Sequence, residues 1–265
     1  MKRETMERFR ALVYDMSGIN LGDKKEALVS ARIGKRMRAL NLETSEDYLH
    51  YVESSGDEAE LVQLIDAIST NVTSFFREAD HFQFLAEVCE KWRAAGQRRF
   101  RLWSAASSSG EEPYSIAMTM LDALGSECDV RILATDISTK VLAQAKAGVY
   151  APQRVASCDR ATVLRHFQKE VNGTVQYSVR SEVRRLCVFK QLNLAQPPFP
   201  MRGPLDVVFC RNVMIYFDTR VRRALLREIH RLLKPGGYLC VGHAESLTGL
   251  DHDFKTVGPS ICRKD

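Results

Sequence analysis

Three stretches of this chain carry residue types suited to holding a small ligand. The first is Ser104-Ala-Ala-Ser-Ser-Ser-Gly110, followed directly by Glu111-Glu112. Small side chains let a backbone approach a ligand closely, and Gly110 frees a φ angle. A single glycine is not G-x-G-x-x-G, which weakens a dinucleotide reading and leaves a tight strand-to-helix turn as the alternative. The second is Asp136, which closes the apolar run Val130-Arg-Ile-Leu-Ala-Thr. An acid at a strand end accepts hydrogen bonds from ribose hydroxyls, although this one stands 26 residues past Gly110 rather than about 20. Its alternative role is as neighbour to a helix N-cap. The third is Cys210-Arg211-Asn212, where Asn212 offers an amide and Tyr216 follows four residues on. Tyr216 either enters the same crevice or packs as an amphipathic core residue.

These stretches need elements to carry them. Arg99–Ser104 alternates like a strand, and a helix is expected from Glu111 through Ile116, Met120 and Leu124, with Pro113 in its first turn. Val130–Asp136, Leu205–Cys210 and Tyr238–Gly242 read as strands, Ser138–Ala147 and Arg222–Leu233 as helices, and Lys234-Pro-Gly-Gly237 as a turn. Strand and helix in alternation predict a doubly wound, largely parallel sheet. Ligands in such a sheet bind beyond the carboxyl ends of the strands, where all three stretches lie. Nucleoside-binding strand ends without phosphate glycines suit S-adenosylmethionine better than NAD or ATP.

Two segments depart from that rhythm. Residues 1–85 read as helices, with apolar stripes Val29, Ile33, Met37, Leu40 and Leu61, Leu64, Ile65, Ile68 at helical spacing. Between Gly148 and Leu194 lie a helical piece (160–168), an Asn172-Gly173 turn and strand-like runs 174–179 and 186–191, with the segment bounded at 149–190. Asn-Gly between strands reads as a hairpin, so this segment is expected to be a small antiparallel subdomain inserted into the α/β domain of residues 86–265. The fold class predicted is α/β: a small all-helical N-terminal domain plus a Rossmann-like doubly wound domain with that insertion.

Composition narrows the class. At 265 residues, 45% hydrophobic and 27% charged, the chain is an ordinary globular one. Its 7 cysteines (89, 128, 158, 187, 210, 240, 262) show no C-x-x-C spacing, which argues against a disulfide framework and a zinc site. No metal is expected. No apolar run approaches the roughly 20 residues of a membrane span, and the start MKRETMERFR lacks the apolar stretch of a secretory signal. A soluble cytoplasmic protein is therefore expected. The net charge of +5 is uneven, residues 1–90 being acidic and the remainder basic, which suits an acidic partner.

The motifs then resemble one family. Asn71-Val-Thr-Ser-Phe-Phe-Arg77 is similar to the Asn-x-Thr-x-Phe-Phe-Arg motif of the chemotaxis receptor methyltransferases, the CheR type. Trp103–Ser115 resembles their cofactor loop, and Phe209-Cys-Arg-Asn-Val-Met-Ile-Tyr-Phe-Asp218 a later motif. Leu233–Gly237 and Gly242-His-Ala-Glu-Ser246 resemble their final strands. One departure is Ala106-Ser107, where many members carry Gly-Cys. The resemblance spans the chain and implies methylation of glutamate side chains on chemoreceptor cytoplasmic domains, with S-adenosylmethionine as donor and S-adenosylhomocysteine as product. It implies that Asn71, Thr73 and Arg77 face cofactor and active site. Glu112, with Glu111, contacts the cofactor, and the sequence does not say which makes the main contact. Asp136 holds the ribose, Asn193 and Leu194 line the adenine pocket, Arg211 and Asn212 complete the site, and Tyr216 lies near the reacting centre. The helical domain is implied in receptor docking and in part of the active site. A monomer without a fused repeat domain after Asp265 is expected.

A carboxylate, with a reference pKa of about 4.3, is already ionised at neutral pH, and displacement at a sulfonium methyl needs no general base. This accounts for the absence of a His/Asp or Cys/His couple. Arg77 and Tyr216 are the residues expected to position the reactants, Arg77 holding either the substrate or the cofactor carboxylate. His243 is read as packed or solvated. Lys24, Lys25, Arg32, Lys35, Arg36 and Arg38 cluster on one predicted helix against the single acid Glu26. They are expected to dock on the Glu/Gln-rich methylation helices, the alternative being a solvated face. In some relatives the insertion adds a strand to a receptor C-terminal peptide tag. Competing functions are a nucleic-acid methyltransferase, against which stands the lack of an N-P-P-Y/F-like tetrapeptide after Cys210, and a non-catalytic cofactor-sensing module. No nucleic-acid partner and no membrane insertion are expected.

Overall fold

The computed structural model describes residues 1–22, 26–54, 58–69 and 71–265. The first four helices, α1 (Arg3–Ser17), α2 (Glu26–Ala39), α3 (Ser45–Ser54) and α4 (Glu58–Ile68), bury a core of their own. Val29 and Ile33 of α2 and Leu64 and Ile68 of α4 meet Phe9, Tyr48 and Leu49 there, so both apolar stripes do face inward.

The rest of the chain builds on a seven-stranded sheet. Its strands are β1 (Arg99–Ala105), β2 (Asp129–Asp136), β6 (Cys187–Gln191), β7 (Leu205–Cys210), β8 (Leu233–Val241), β9 (Phe254–Gly258) and β10 (Ile261–Lys264), in the order β6-β2-β1-β7-β8-β10-β9. β10 runs antiparallel to both its neighbours, and the pairings among β6, β2, β1, β7 and β8 are parallel. Alternate residues serve opposite faces, as the pleat demands. Phe100, Leu102, Val207, Phe209 and Cys240 enter one core, with α5 (Asp80–Ala94) and α6 (Glu111–Leu124). Trp103, Ala105, Val208, Cys210 and Leu239 enter the other, with α11 (Thr219–Leu232). α7 (Thr139–Ala147) follows β2, and its N-cap Ser138 accepts from Val141 N at 3.3 Å.

Sequence and structure differ in several places. The expected boundary after residue 85 falls inside α5, whose Phe82, Leu85 and Val88 pack in the core of the sheet domain. The insertion holds β3 (Val149–Tyr150), α8 (Pro152–Val155), α9 (Arg160–His166), β4 (Phe167–Asn172), β5 (Thr174–Val179) and α10 (Ser181–Arg184). Its own sheet has the order β3-β5-β4, with the expected hairpin at Asn172-Gly173. The run 186–191, grouped with the insertion by sequence, instead pairs in parallel with β2 as the edge strand β6 of the main sheet. Short, half-buried strands look alike by sequence whichever sheet they join. Lys234–Gly237 lies within the bounds of β8. It loops out of register there, since Leu205 pairs with Leu233 but Val207 pairs with Tyr238. Gly242–Ser246 is loop rather than strand, and the chain closes instead on the hairpin β9–β10. Among the described residues no helix is long and apolar enough to cross a membrane.

Candidate functional site

The carboxyl ends of β1, β2 and β7 open into one cavity of about 1200 Å³, part of it open to solvent. Asn71, Thr73, Arg77, Glu112, Asp136, Asn193, Leu194, Arg211, Asn212 and Tyr216 all line it. Glu111 does not. The helical domain supplies a wall of its own, with Ser17, Ile19, Val29 and Arg32. That wall is pinned in place: Asn20 N donates to Tyr216 O (2.8 Å), Asn193 Nδ2 to Met16 O (2.6 Å) and Tyr14 Oη to Asp218 (2.6 Å).

The loops around the cavity hold an unusual backbone. Phe76, Glu78, Ala106, Ser108 and Asn212 have φ of 53°, 58°, 60°, 48° and 58°. The left-handed region costs a non-glycine residue energy, and such residues gather at ligand sites where neighbours over-determine them. Gly110, at φ +99°, has no alternative: a Cβ there would stand 2.8 Å from Tyr150 Oη and 2.9 Å from Ala145 Cβ.

Asp136 is buried and accepts Ser108 N and Ser138 N, each at 2.9 Å. Burial pushes its pKa above the ordinary carboxylate value, and the two N–H donors offset only part of that. Each oxygen keeps a lone pair for a ligand hydroxyl. Glu112 accepts Ser104 Oγ (2.7 Å) and Arg211 Nη1 (3.0 Å), and burial raises its pKa despite the nearby guanidinium. Arg211 also donates to Glu78 Oε2 from Nη2 (2.9 Å) and Nε (3.2 Å), and to the Arg77 carbonyl. Burial alone would raise Glu78, but Arg211 holds it below its ordinary value. One cation thus spans two acids.

Arg77 donates Nη1 to Val72 O (2.9 Å). Asn212 is held twice, through Nδ2 to Glu78 (3.3 Å) and through its backbone N–H to Glu245 Oε2 (2.7 Å). Asn193 spends its amide group on Met16 and its Oδ1 on Ala195 N (3.0 Å), which leaves main chain for a ligand. Tyr216 lines the cavity from the single 3₁₀ turn Met214–Tyr216, not from a longer helix.

Two groups of expectations need correction. Glu111 is fully buried and turned away from the cavity, paired with Arg154 and bonded by Ser109 Oγ (2.7 Å). Successive helix residues point about 100° apart, so one of two adjacent glutamates faces the cavity and the other cannot. The basic helix also divides. Arg36 forms a two-point pair with Glu60 (3.0 and 2.5 Å), which Tyr48 Oη joins at 2.6 Å. Arg32 binds the carbonyls of Ile68 and Ser69 and lines the cavity. Only Lys35 and Arg38 are exposed as a docking face requires, while Lys24 and Lys25 lie outside the described residues. Charge counting along a helix does not reveal which cations are already engaged within the fold.

Sequence reasoning assigned no role to Glu78 or Glu245. Glu245 is buried and accepts the backbone N–H of Asn212, of Gly242 (2.8 Å) and of Ile215 (3.3 Å). Glu78 directly follows Arg77, and its adjacency to that motif was the available signal. His81 is fully buried with Nδ1 3.6 Å from Glu78 Oε2, and neither ring nitrogen has a hydrogen-bond partner among the described residues. Burial, with the Arg211 charge second, lowers its pKa to about 4. Glu78, His81 and His243 bring donor atoms within 4.8 Å of one another, but the Arg211 guanidinium on Glu78 opposes a cation there. His243 is half-exposed and pairs with Asp80 at 3.0 Å.

Comparison with known proteins adds the following. Residues 71–262 match the family model described as CheR methyltransferase, SAM binding domain, and residues 4–69 match CheR methyltransferase, all-alpha domain. The chain is 40% identical to a chemotaxis protein methyltransferase of Salmonella typhimurium, over 96% of this chain and 88% of that protein. It is 38% identical to chemotaxis protein methyltransferase 2 of Pseudomonas aeruginosa, over 98% and 92%. A chemotaxis protein methyltransferase of Borreliella burgdorferi is 34% identical, over 99% and 95%.

Proposed function

The chain belongs to the CheR methyltransferase family, and from that premise we propose that it esterifies specific glutamate side chains on the methylation helices of chemoreceptors. It is an enzyme, and S-adenosylmethionine is its cofactor. The observation that carries the reading is that the strand-end acids and the Asn71–Arg77 segment meet in one cavity walled by both domains. Two desolvated acids suit a ligand with hydroxyl and ammonium donors. Asp136 would hold the ribose hydroxyls and Glu112 the ammonium. The main chain of Asn193 and Leu194, with Asn71, Thr73 and Asn212, would line the rest of the nucleoside site. When bound, the cofactor supplies an electrophilic methyl group on sulfur.

The protein's own part is positioning. A glutamate side chain arrives ionised, so no residue need remove a proton. Arg77 and Tyr216 would orient the carboxylate at the cavity mouth, and orientation can supply roughly 7–11 kcal/mol of a barrier. Arg211, fixed between Glu78 and Glu112, would hold the loop rather than the substrate. A guanidinium that gripped the carboxylate equally before and during transfer would lower KM without raising kcat, so modest contact suffices.

The helical domain would dock the partner, with Lys35 and Arg38 offering charge to a Glu-rich helix and Arg32 contributing from the cavity wall. In the inserted sheet β4 lies at an edge, where a receptor's C-terminal peptide tag would add a strand. A cytoplasmic monomer fits this reading.

The test is transfer of labelled methyl groups from S-adenosylmethionine to membranes carrying the organism's own chemoreceptors, followed by base. Label released as methanol is expected, and it should vanish when the receptor's methylation-site glutamates are replaced by alanine. Label that stays fixed through base treatment would overturn carboxyl esterification.

A further inference from the structure

The cofactor loop is braced from behind by the inserted subdomain, at atoms that no ligand of the cavity would touch. Arg154 lies on the short helix α8 and reaches the start of α6. Its Nη2 donates to Ser109 Oγ (2.8 Å) and to the Glu111 carboxylate, and Ser109 Oγ donates in turn to Glu111 Oε2 (2.7 Å). Tyr150, the last residue of β3, donates its hydroxyl to Ser109 O at 2.7 Å. The insertion therefore grips the side chain and the carbonyl of Ser109, together with the first residue of α6.

We propose that Arg154 is a positioning residue for the cofactor loop, acting through Glu111 and Ser109. The proposal rests on the cofactor site described above. The lever is short. Ser108 donates its backbone N–H to Asp136, and Glu112 lines the cavity one residue past Glu111. A shift at Ser109 or Glu111 is carried through one peptide bond to each of these two ligand-facing groups. Misplacement by about 1 Å is enough to lose an aligned hydrogen bond.

Stability alone is a poor reason for this ion pair. Glu111 is fully buried while the Arg154 side chain stays 36% exposed, and the desolvation of the carboxylate consumes much of the pair's attraction. What it supplies is registry. Glu111 is fully buried, with Arg154 as its cation, so the carboxylate is at ease only while Arg154 is in place. The loop conformation is thereby tied to the seating of the insertion. Gly110 shows the same close fit, since Tyr150 Oη occupies the space any side chain there would need.

The experiment measures cofactor affinity by calorimetry, Tm, and kcat against KM for S-adenosylmethionine. The variants are Arg154→Lys and the paired Arg154→Met with Glu111→Gln. The paired variant removes the buried charge along with its partner, so it should keep Tm within a few degrees of wild type. Its Kd and KM for the cofactor should rise about tenfold, with kcat at saturating cofactor within twofold of wild type. Arg154→Lys keeps the charge but loses the planar fork, and should show a smaller rise. A folded paired variant with wild-type Kd would overturn the proposal and leave the pair merely structural. Should the paired variant not fold, Arg154→Lys decides by the same comparison of Kd with Tm. If wild-type protein itself binds no S-adenosylmethionine, the cofactor site fails rather than the role of Arg154.

Discussion

The two ends of the parallel sheet use the same chemical parts to opposite purpose. At the amino end, Asp206 of β7 is buried and accepts Arg101 N (2.6 Å), Gln97 Nε2 (2.8 Å) and Lys234 Nζ (2.6 Å). Lys234 lies 3.7 Å above the Trp92 ring. There the acid has donors on every side, supplied by the chain itself. At the carboxyl end, Asp136 is buried and Glu112 mostly so, yet they face an open cavity and desolvation raises the pKa of both. The loops beside them hold five non-glycine residues at positive φ. An acid completed by its own chain stabilises the fold. An acid left incomplete, on a backbone that is costly to hold, marks the place of a ligand.

The sharpest way to break the comparison is to remove one acid at each end. Asp136→Asn should weaken S-adenosylmethionine binding about 100-fold, since a charged acceptor for two hydroxyls becomes a neutral one. Tm should change little. The variant no longer desolvates a charge, which offsets the amide hydrogens it turns toward a backbone N–H. Calorimetric titration with a thermal melt reads both quantities. A large fall in Tm with unchanged affinity would reverse the assignment of that end.

Asp206→Ala should do the opposite. Three donors lose one acceptor, and Lys234 loses its counter-charge in a mostly buried setting. The cost should be about 2 kcal/mol, or roughly 4–8 °C in Tm for a domain of this size. Cofactor affinity should stay within twofold of wild type. A comparable loss of affinity would show that the two ends are coupled through β7, and the contrast between them would fail.

The amino end was nearly invisible in the sequence, whereas the carboxyl end was largely legible. Gly110, Asp136 and Asn212 stand at strand ends, and strand ends follow from alternation and apolar runs. Asp206 carries no such marker, because its partners Gln97 and Arg101, around the start of β1, and Lys234, in β8, lie more than a hundred residues before it and almost thirty after it. The same limit explains the errors at the site. Glu111 and Glu112 are indistinguishable as letters, and only the helix phase turns one of them onto Arg154. Arg32 and Arg36 look like surface charge until α4 supplies the Ile68 carbonyl and Glu60 to receive them. The run 186–191 has the composition of a strand, but its partner β2 lies about fifty residues earlier, so local pattern could not choose its sheet.

His81 sharpens the comparison from a third direction, because it is buried at the carboxyl end and neither ring nitrogen has a hydrogen-bond partner among the described residues. Burial is the main cause of its depressed pKa of about 4, against an ordinary value of 6.5. The folded state therefore refuses a proton that the unfolded chain accepts once the pH falls below 6.5. Between 6.5 and 4 the unfolded state holds more protons, so stability must fall with falling pH, by at most about 1.4 kcal/mol per pH unit from this one group. Above pH 6.5 both states are neutral at this position and it contributes no slope. His81→Phe removes the titration while filling the space beside Phe82 and Phe209, and should flatten the acid limb of a plot of Tm against pH without moving the limb above 6.5. An unchanged acid limb would mean that His81 finds a partner in solution. It would then belong with Asp206 among the completed groups, and the line between the two ends of the sheet would have to be redrawn on the far side of Glu78.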